Sequence, residues 1–131
     1  MIELRAFVDC GLFVLIWMVQ LIVYPSFCHI SDQALLCWHR TYTYRIGYFV
    51  IPMMTAQLIL SLLSCIHSIT MLRVLDLGLV VATWGLTAWL SVPLHNALSK
   101  GSLDLAIRIS LVQTNLPRAL VWTVIFFLGV F

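Results

Sequence analysis

Charge is what this sequence has least of. Of its 131 residues only twelve are charged, seven Lys or Arg and five Asp or Glu, or 9% of the chain. A soluble domain of this size carries about a quarter. Water cannot be the solvent for most of such a surface, and the mean hydropathy of +1.07 points to the bilayer instead. Acids are scarcest inside the apolar stretches, where Asp9 is the one that stands out. That scarcity argues against a carboxylate-bridged di-iron centre of the four-helix type, which needs several inward acids. There is no basic run and the net charge is only +2, so nothing points to nucleic acid. Cys10, Cys28, Cys37 and Cys65 form no C-x-x-C pair, which removes the motif of a thiol–disulfide relay. They read as small buried hydrophobes. The histidines show no H-x-x-H, H-E-x-x-H or E-x-x-H spacing, the usual marks of a metal site. The first apolar run is too long for a signal peptide and no Ala-x-Ala site follows it, so it reads as a retained helix. No internal repeat or low-complexity segment stands out.

Long apolar runs are what the chain does have. A span needs about 20 mostly apolar residues to cross roughly 30 Å of hydrocarbon. Four stretches qualify: Ala6 to Phe27, Ile46 to Ile66, Leu77 to Leu94 and Leu111 to Phe131. With helices expected at about 5–28, 32–66, 72–96 and 103–131, residues 1–131 make one integral membrane domain. Short loops between four helices give an all-α, up-down-up-down antiparallel transmembrane bundle. Arg40, Arg45, Lys100 and Arg108 fall on the side of the first and third loops, against Arg5 and Arg73 on the other. Four against two favours cytoplasmic first and third loops with both termini outside, and the expected setting is a bacterial inner membrane.

The polar residues inside the spans mark the candidate site. In the last span, LVQTNLPRALVW places Asn115, Pro117 and Arg118 where hydrocarbon tolerates them least. Arg118 lies about six residues inside the membrane, roughly 9 Å at 1.5 Å per residue. Intramembrane ionisable residues are functional by default. Arg108, Leu111, Asn115, Arg118 and Trp122 follow steps of three and four along one helix face. Matching groups lie on the other helices: Gln20 and Tyr24 on the first, His39, Tyr42 and Gln57 on the second, and Trp84, Ser91, His95 and Asn96 on the third. The spacing predicts a funnel with His39, Tyr42, His95 and Asn96 at its mouth, then Asn115 and Arg118, with Gln20 and Gln57 deeper. Asp9 falls towards the opposite face, too far to neutralise Arg118. An arginine surrounded by amides and histidines suits an acidic or carbonyl-bearing ligand.

Three pieces of the chain, VYPSF with the following WHRTYTYRIGYFVIPMM, then SVPLHNALSKG, then QTNLPRALVW, resemble a family of small bacterial four-helix membrane proteins. More distantly they are similar to the anthrone-oxygenase-like membrane family, with a Pro-x-Asn-type turn ending the third helix and an Asn-x-x-Arg-type element in the fourth. The likeness extends over nearly the whole chain and points to Pro52, Pro93, His95, Asn96, Asn115 and Arg118. It implies oxidation of polycyclic phenols without an obvious cofactor. Two departures stand out: Gln57 where an acid is expected after the Pro-Met element, and Asn115-Leu116 where Asn-Trp is expected.

The residues leave three functions open. The first is an oxidoreductase- or oxygenase-like membrane enzyme for a hydrophobic aromatic or quinone-like substrate. In it, His39, His95 and Arg118 are catalytic, and Gln20, Tyr42, Gln57, Trp84, Asn96, Asn115 and Trp122 contact the ligand. The second is an accessory subunit of a larger membrane complex that holds lipid, pigment or haem, with His39 and His95 as haem or metal ligands. The third is a small dimeric transporter or channel. All three imply contact with membrane lipid, and the first two a hydrophobic small molecule or a haem or quinone cofactor. A homo-oligomer or a larger complex fits each.

Overall fold

A computed structural model describes residues 2–130, and the side chains of 3–129. Four helices account for nearly all of it, and no strand occurs among the described residues. Helix α1 covers 2–27, as Ile2–Met18, a wide π-turn at Val19–Val23, and Tyr24–Phe27. Helix α2 is Asp32–His67 and runs through Pro52. Helix α3 is Met71–Ser99, as Met71–Leu86, a second π-turn at Thr87–Ser91, and Val92–Ser99. Helix α4 is Leu105–Val130 and runs through Pro117. The boundaries differ from the sequence expectation by one to three residues where both are described, and Phe131 lies outside the described residues. All four helices are long and apolar enough to cross a membrane, so the chain is a membrane-integrated four-helix bundle.

Proline explains the two π-turns. Pro25 and Pro93 have no amide hydrogen and crowd the carbonyl four residues back. In both helices the residue just before the proline bonds one step further along, Tyr24 to the Val19 carbonyl and Val92 to the Thr87 carbonyl. Each wide turn shifts everything beyond it by about one residue, or roughly 100° around the axis.

Loop chemistry fixes the ends. Gly101, at φ 95°, stops α3: its amide bonds the Leu98 carbonyl at 3.0 Å, and the Ser102 amide bonds the Ala97 carbonyl at 3.0 Å. This is the paired-bond C-terminal cap that favours glycine in the left-handed region. It ends α3 just after Ser99. Arg108 ties down the first loop. It is 5% exposed, bonds the Ile30, Phe27 and Leu103 carbonyls at 2.9, 3.1 and 3.1 Å, and pairs with Asp32.

The bundle is square. Each helix packs on two neighbours, most extensively α1 on α4, while the backbones of the diagonal pairs stay apart. Across that diagonal space run polar side chains: Arg5 to Asp76, Tyr24 to His95, and Trp122 to Gln57. Large apolar residues such as Phe7, Leu21, Phe49, Ile69 and Trp89 point outward, as expected where lipid is the solvent.

Candidate functional site: an arginine-lined cavity inside the bundle

The buried face of α4 is the one its spacing predicts: Arg108, Leu111, Asn115, Arg118 and Trp122 are all buried. Arg118 is 5% exposed. Its Nη1 donates to Ser91 Oγ at 2.7 Å and to Asn115 Oδ1 at 3.1 Å, and its guanidinium lies 5.3 Å from the centre of the Trp122 ring. Its Nε is buried without a hydrogen-bond partner. The ion pairs among the described residues are Arg5–Asp9, Arg5–Asp76 and Arg108–Asp32, so no carboxylate pairs with Arg118.

Beside Arg118 is a cavity of about 260 Å³, at the small end of ligand pockets. Its walls are chiefly apolar, from Leu12, Leu15, Ile16 and Val19 on α1 and Ile46, Val50 and Ile51 on α2. Polar groups gather at one pole: Arg118, Ser91, His95, Asn96, Tyr24 and Tyr42. The cavity reaches the outside of the bundle between α2 and α3, where the lining residues Ile51 and Val92 are 61% and 46% exposed. The Thr87–Ser91 turn stands off from α2 at that level, and Gly47 supplies no side chain to fill the gap.

Of the residues singled out in the sequence, Tyr24, Tyr42, Ser91, His95, Asn96, Arg118 and Trp122 line this cavity. His39, Gln20, Asn115, Gln57 and Trp84 do not. His39 is fully buried one step behind His95, with His39 Nε2 and His95 Nδ1 2.8 Å apart. Asn115 and Gln20 back Arg118, as Asn115 Nδ2 donates to Gln20 Oε1 at 2.9 Å and Gln20 Nε2 to the Val112 carbonyl at 3.2 Å. Gln57 faces away from the cavity, donating to Asp9 Oδ1 at 2.7 Å and accepting from Trp122 Nε1 at 3.1 Å.

Trp84 is also away from the cavity. A straight α-helix aligns Trp84, Ser91 and His95, but the π-turn between them breaks the alignment and leaves the indole in the apolar core below. Its Nε1 is buried without a partner.

Three features go beyond the sequence reading. Tyr24, named there as a matching group, has its Oη 2.8 Å from His95 Nε2, and Ser99 Oγ lies 3.2 Å from His39 Nδ1. With the His39–His95 contact these make a four-membered hydrogen-bonded chain from the end of α3 to the cavity. The alternation of hydroxyl and imidazole groups could have suggested it, but the π-turns conceal the phase. The third is an acidic centre at the opposite end of the bundle. Arg5 Nε donates to Asp9 Oδ2 at 2.7 Å and Arg5 Nη2 to Asp76 Oδ1 at 2.7 Å, while Ser61 bonds the second carboxylate of that set. Asp76, one residue before the apolar stretch that begins at Leu77, lies inside α3, so Asp9 is not the only acid within the helices.

All four imidazole nitrogens of His39 and His95 are engaged, with each other, Tyr24 and Ser99, so in this arrangement neither ring offers a free nitrogen to haem or another metal. No group of three or more His, Cys, Asp or Glu among the described residues could hold a metal ion.

What the arrangement can do is bind an oxygen atom and exchange a proton with it. Arg118 offers a fixed positive charge in a site of low dielectric, where it is worth more than in water. His95 and Tyr24, 2.8 Å apart, stand at the same pole. No family model, no curated protein and no solved structure matches the chain.

Proposed function

We propose that the chain is a membrane-embedded, oxidoreductase-like enzyme that takes a hydrophobic aromatic or quinone-like molecule from the bilayer and holds its oxygen at Arg118. The observation that carries this reading is Arg118, buried and without a carboxylate partner among the described residues, in the lining of a chiefly apolar cavity. A structural arginine at that depth would be paired, because a buried charge left without a counter-charge is costly. A carbonyl or phenolate oxygen supplies the missing negative charge. The cavity volume suits one small ring system, with any longer tail leaving through the gap between α2 and α3. In chemical terms Arg118 stabilises negative charge on the oxygen, and the His95–Tyr24 pair gives or takes its proton. Protonating a quinone oxygen, or deprotonating a phenol, is the acid–base half of such oxidation chemistry, and this chain's own residues can perform it.

Within this proposal the first and third loops face the cytoplasm of a bacterial inner membrane. Support comes from Arg40, Arg45, Lys100 and Arg108 on that side against Arg5 and Arg73 on the other.

The test is native mass spectrometry of the detergent-purified protein, wild type, Arg118→Leu and Gly47→Phe. Wild type should carry a small aromatic or quinone mass, and both variants should lose it: the first lacks the anchor, the second fills the opening without touching Arg118. A Cβ on Gly47 meets only Ile51 Cδ1, at 3.8 Å, so the larger side chain has room to project. A wild-type protein that purifies empty and stays empty with added short-chain ubiquinone overturns the reading in favour of a structural subunit.

A further inference from the structure

We propose that protons reach the cavity from the rim of the first and third loops along Ser99, His39, His95 and Tyr24, separately from the ligand, which arrives through the bilayer. The proposal rests on the reading of Arg118 as the ligand's anchor. The three successive contacts are 3.2, 2.8 and 2.8 Å, each within hydrogen-bond range. Ser99, at the outer end, adjoins the exposed Lys100 and Gly101. Tyr24, at the inner end, is 3% exposed and lines the cavity. Between them His39 is fully buried, with Phe27 packed edge-on at 5.9 Å between ring centroids. The side opening past Ile51 and Val92 is apolar, with the exposed Asn96 at its edge nearest the rim. The charged and titratable groups around the chain are Arg118 on α4, Tyr42 on α2, and Arg40 at the rim, whose Nη2 bonds the Ser99 carbonyl at 3.3 Å.

With both imidazoles neutral the chain has two self-consistent polarities. In the inward one, Ser99 donates to His39 Nδ1, His39 Nε2 to His95 Nδ1, and His95 Nε2 to Tyr24, leaving the Tyr24 hydroxyl hydrogen for the ligand. In the outward one every donor and acceptor is exchanged. Delivery breaks the Tyr24 O–H bond and forms an O–H bond on the ligand. At the same time His95 Nε2–H passes to Tyr24, His39 Nε2–H to His95 Nδ1, and Ser99 O–H to His39 Nδ1, while rim water replaces the Ser99 proton. One proton enters and one is delivered, and both rings end in the other tautomer. A purely structural histidine pair needs the bonds but not this transfer, and the experiment separates the two.

The probe is a long-chain 4-nitrophenol, coloured only as the anion, bound to the full protein in phosphatidylcholine vesicles. A stopped-flow drop in pH then follows protonation of the bound dye. His39→Gln can keep one donor and one acceptor in place but cannot hand a proton through, so the rate should fall by at least about tenfold with the dye still bound. Ser99→Ala should slow it several-fold. Added imidazole should restore the rate in His39→Gly. Wild-type rates in both His39→Gln and Ser99→Ala overturn the proposal. Should His39→Gln fail to fold, Ser99→Ala alone decides it, since that substitution removes only a half-buried hydroxyl. A dye that does not bind, or whose binding survives Arg118→Leu, overturns the underlying reading of the site instead.

Discussion

Arg118 Nε and Trp84 Nε1 are both buried without a partner, but only Arg118 belongs to a residue that lines the cavity. Trp84 packs partly buried against the apolar core, whereas Trp17 donates to Thr123 at 2.9 Å. Trp84→Phe should raise the thermal midpoint slightly in detergent, by the equivalent of about 1 kcal/mol, and leave ligand occupancy unchanged. Arg118→Lys keeps the charge but not the planar fork, and should weaken ligand binding by about tenfold, as titration with a short-chain ubiquinone would show. The importance of Arg118 was legible in the sequence, because a lone cation among apolar residues stands out and 3.6-residue spacing gives its face. The orientation of Gln57 towards Asp9 was not, since it depends on how two helices are rotated against each other. Asp76 was passed over because it stands just outside the apolar stretch that begins at Leu77.

At the level of elements, the four helices were legible from run length alone, since hydrocarbon admits few alternatives for an apolar stretch of about 20 residues. The prolines were legible as disturbances. The π-turns were not: a bond to the fifth residue back instead of the fourth has no compositional mark. Yet they set the site. On α1 the cavity face passes from Val19 to Tyr24, five residues across the turn. On α3 the second turn carries His95 away from the phase of Trp84. Deleting Ala88, an exposed residue inside Thr87–Ser91, should restore an ordinary turn and rotate His95 and Ser99 by roughly 100°. The expected outcome is a folded helical protein by circular dichroism that has lost ligand in native mass spectrometry. A deletion variant with full occupancy would show that the wide turn does not set the register.

For the whole molecule, Arg108 is paired with Asp32. Arg5 faces both Asp9 and Asp76, and Arg118 has no carboxylate partner among the described residues, so these last four charges balance only when both ends are counted. The ends are joined through Gln57 and Trp122. The most extensive helix pair, α1 with α4, joins residues 1–69 to residues 70–131, and α2 with α3 does so too. Fragments 1–69 and 70–131, produced together, should therefore copurify through a tag on either one, and each alone should aggregate or be degraded. Fragments that fail to associate would mean that the Ser68–Thr70 connection is needed for assembly. The opening between α2 and α3 bears on how any affinity of this protein is expressed. A ligand that arrives through acyl chains is governed by its mole fraction in lipid, not by its molarity in water. At a fixed total amount of a fully partitioned ligand, doubling the lipid halves that mole fraction and halves occupancy when the site is far from full. Two preparations differing only in their lipid-to-protein ratio will then report different dissociation constants per litre and the same one per lipid.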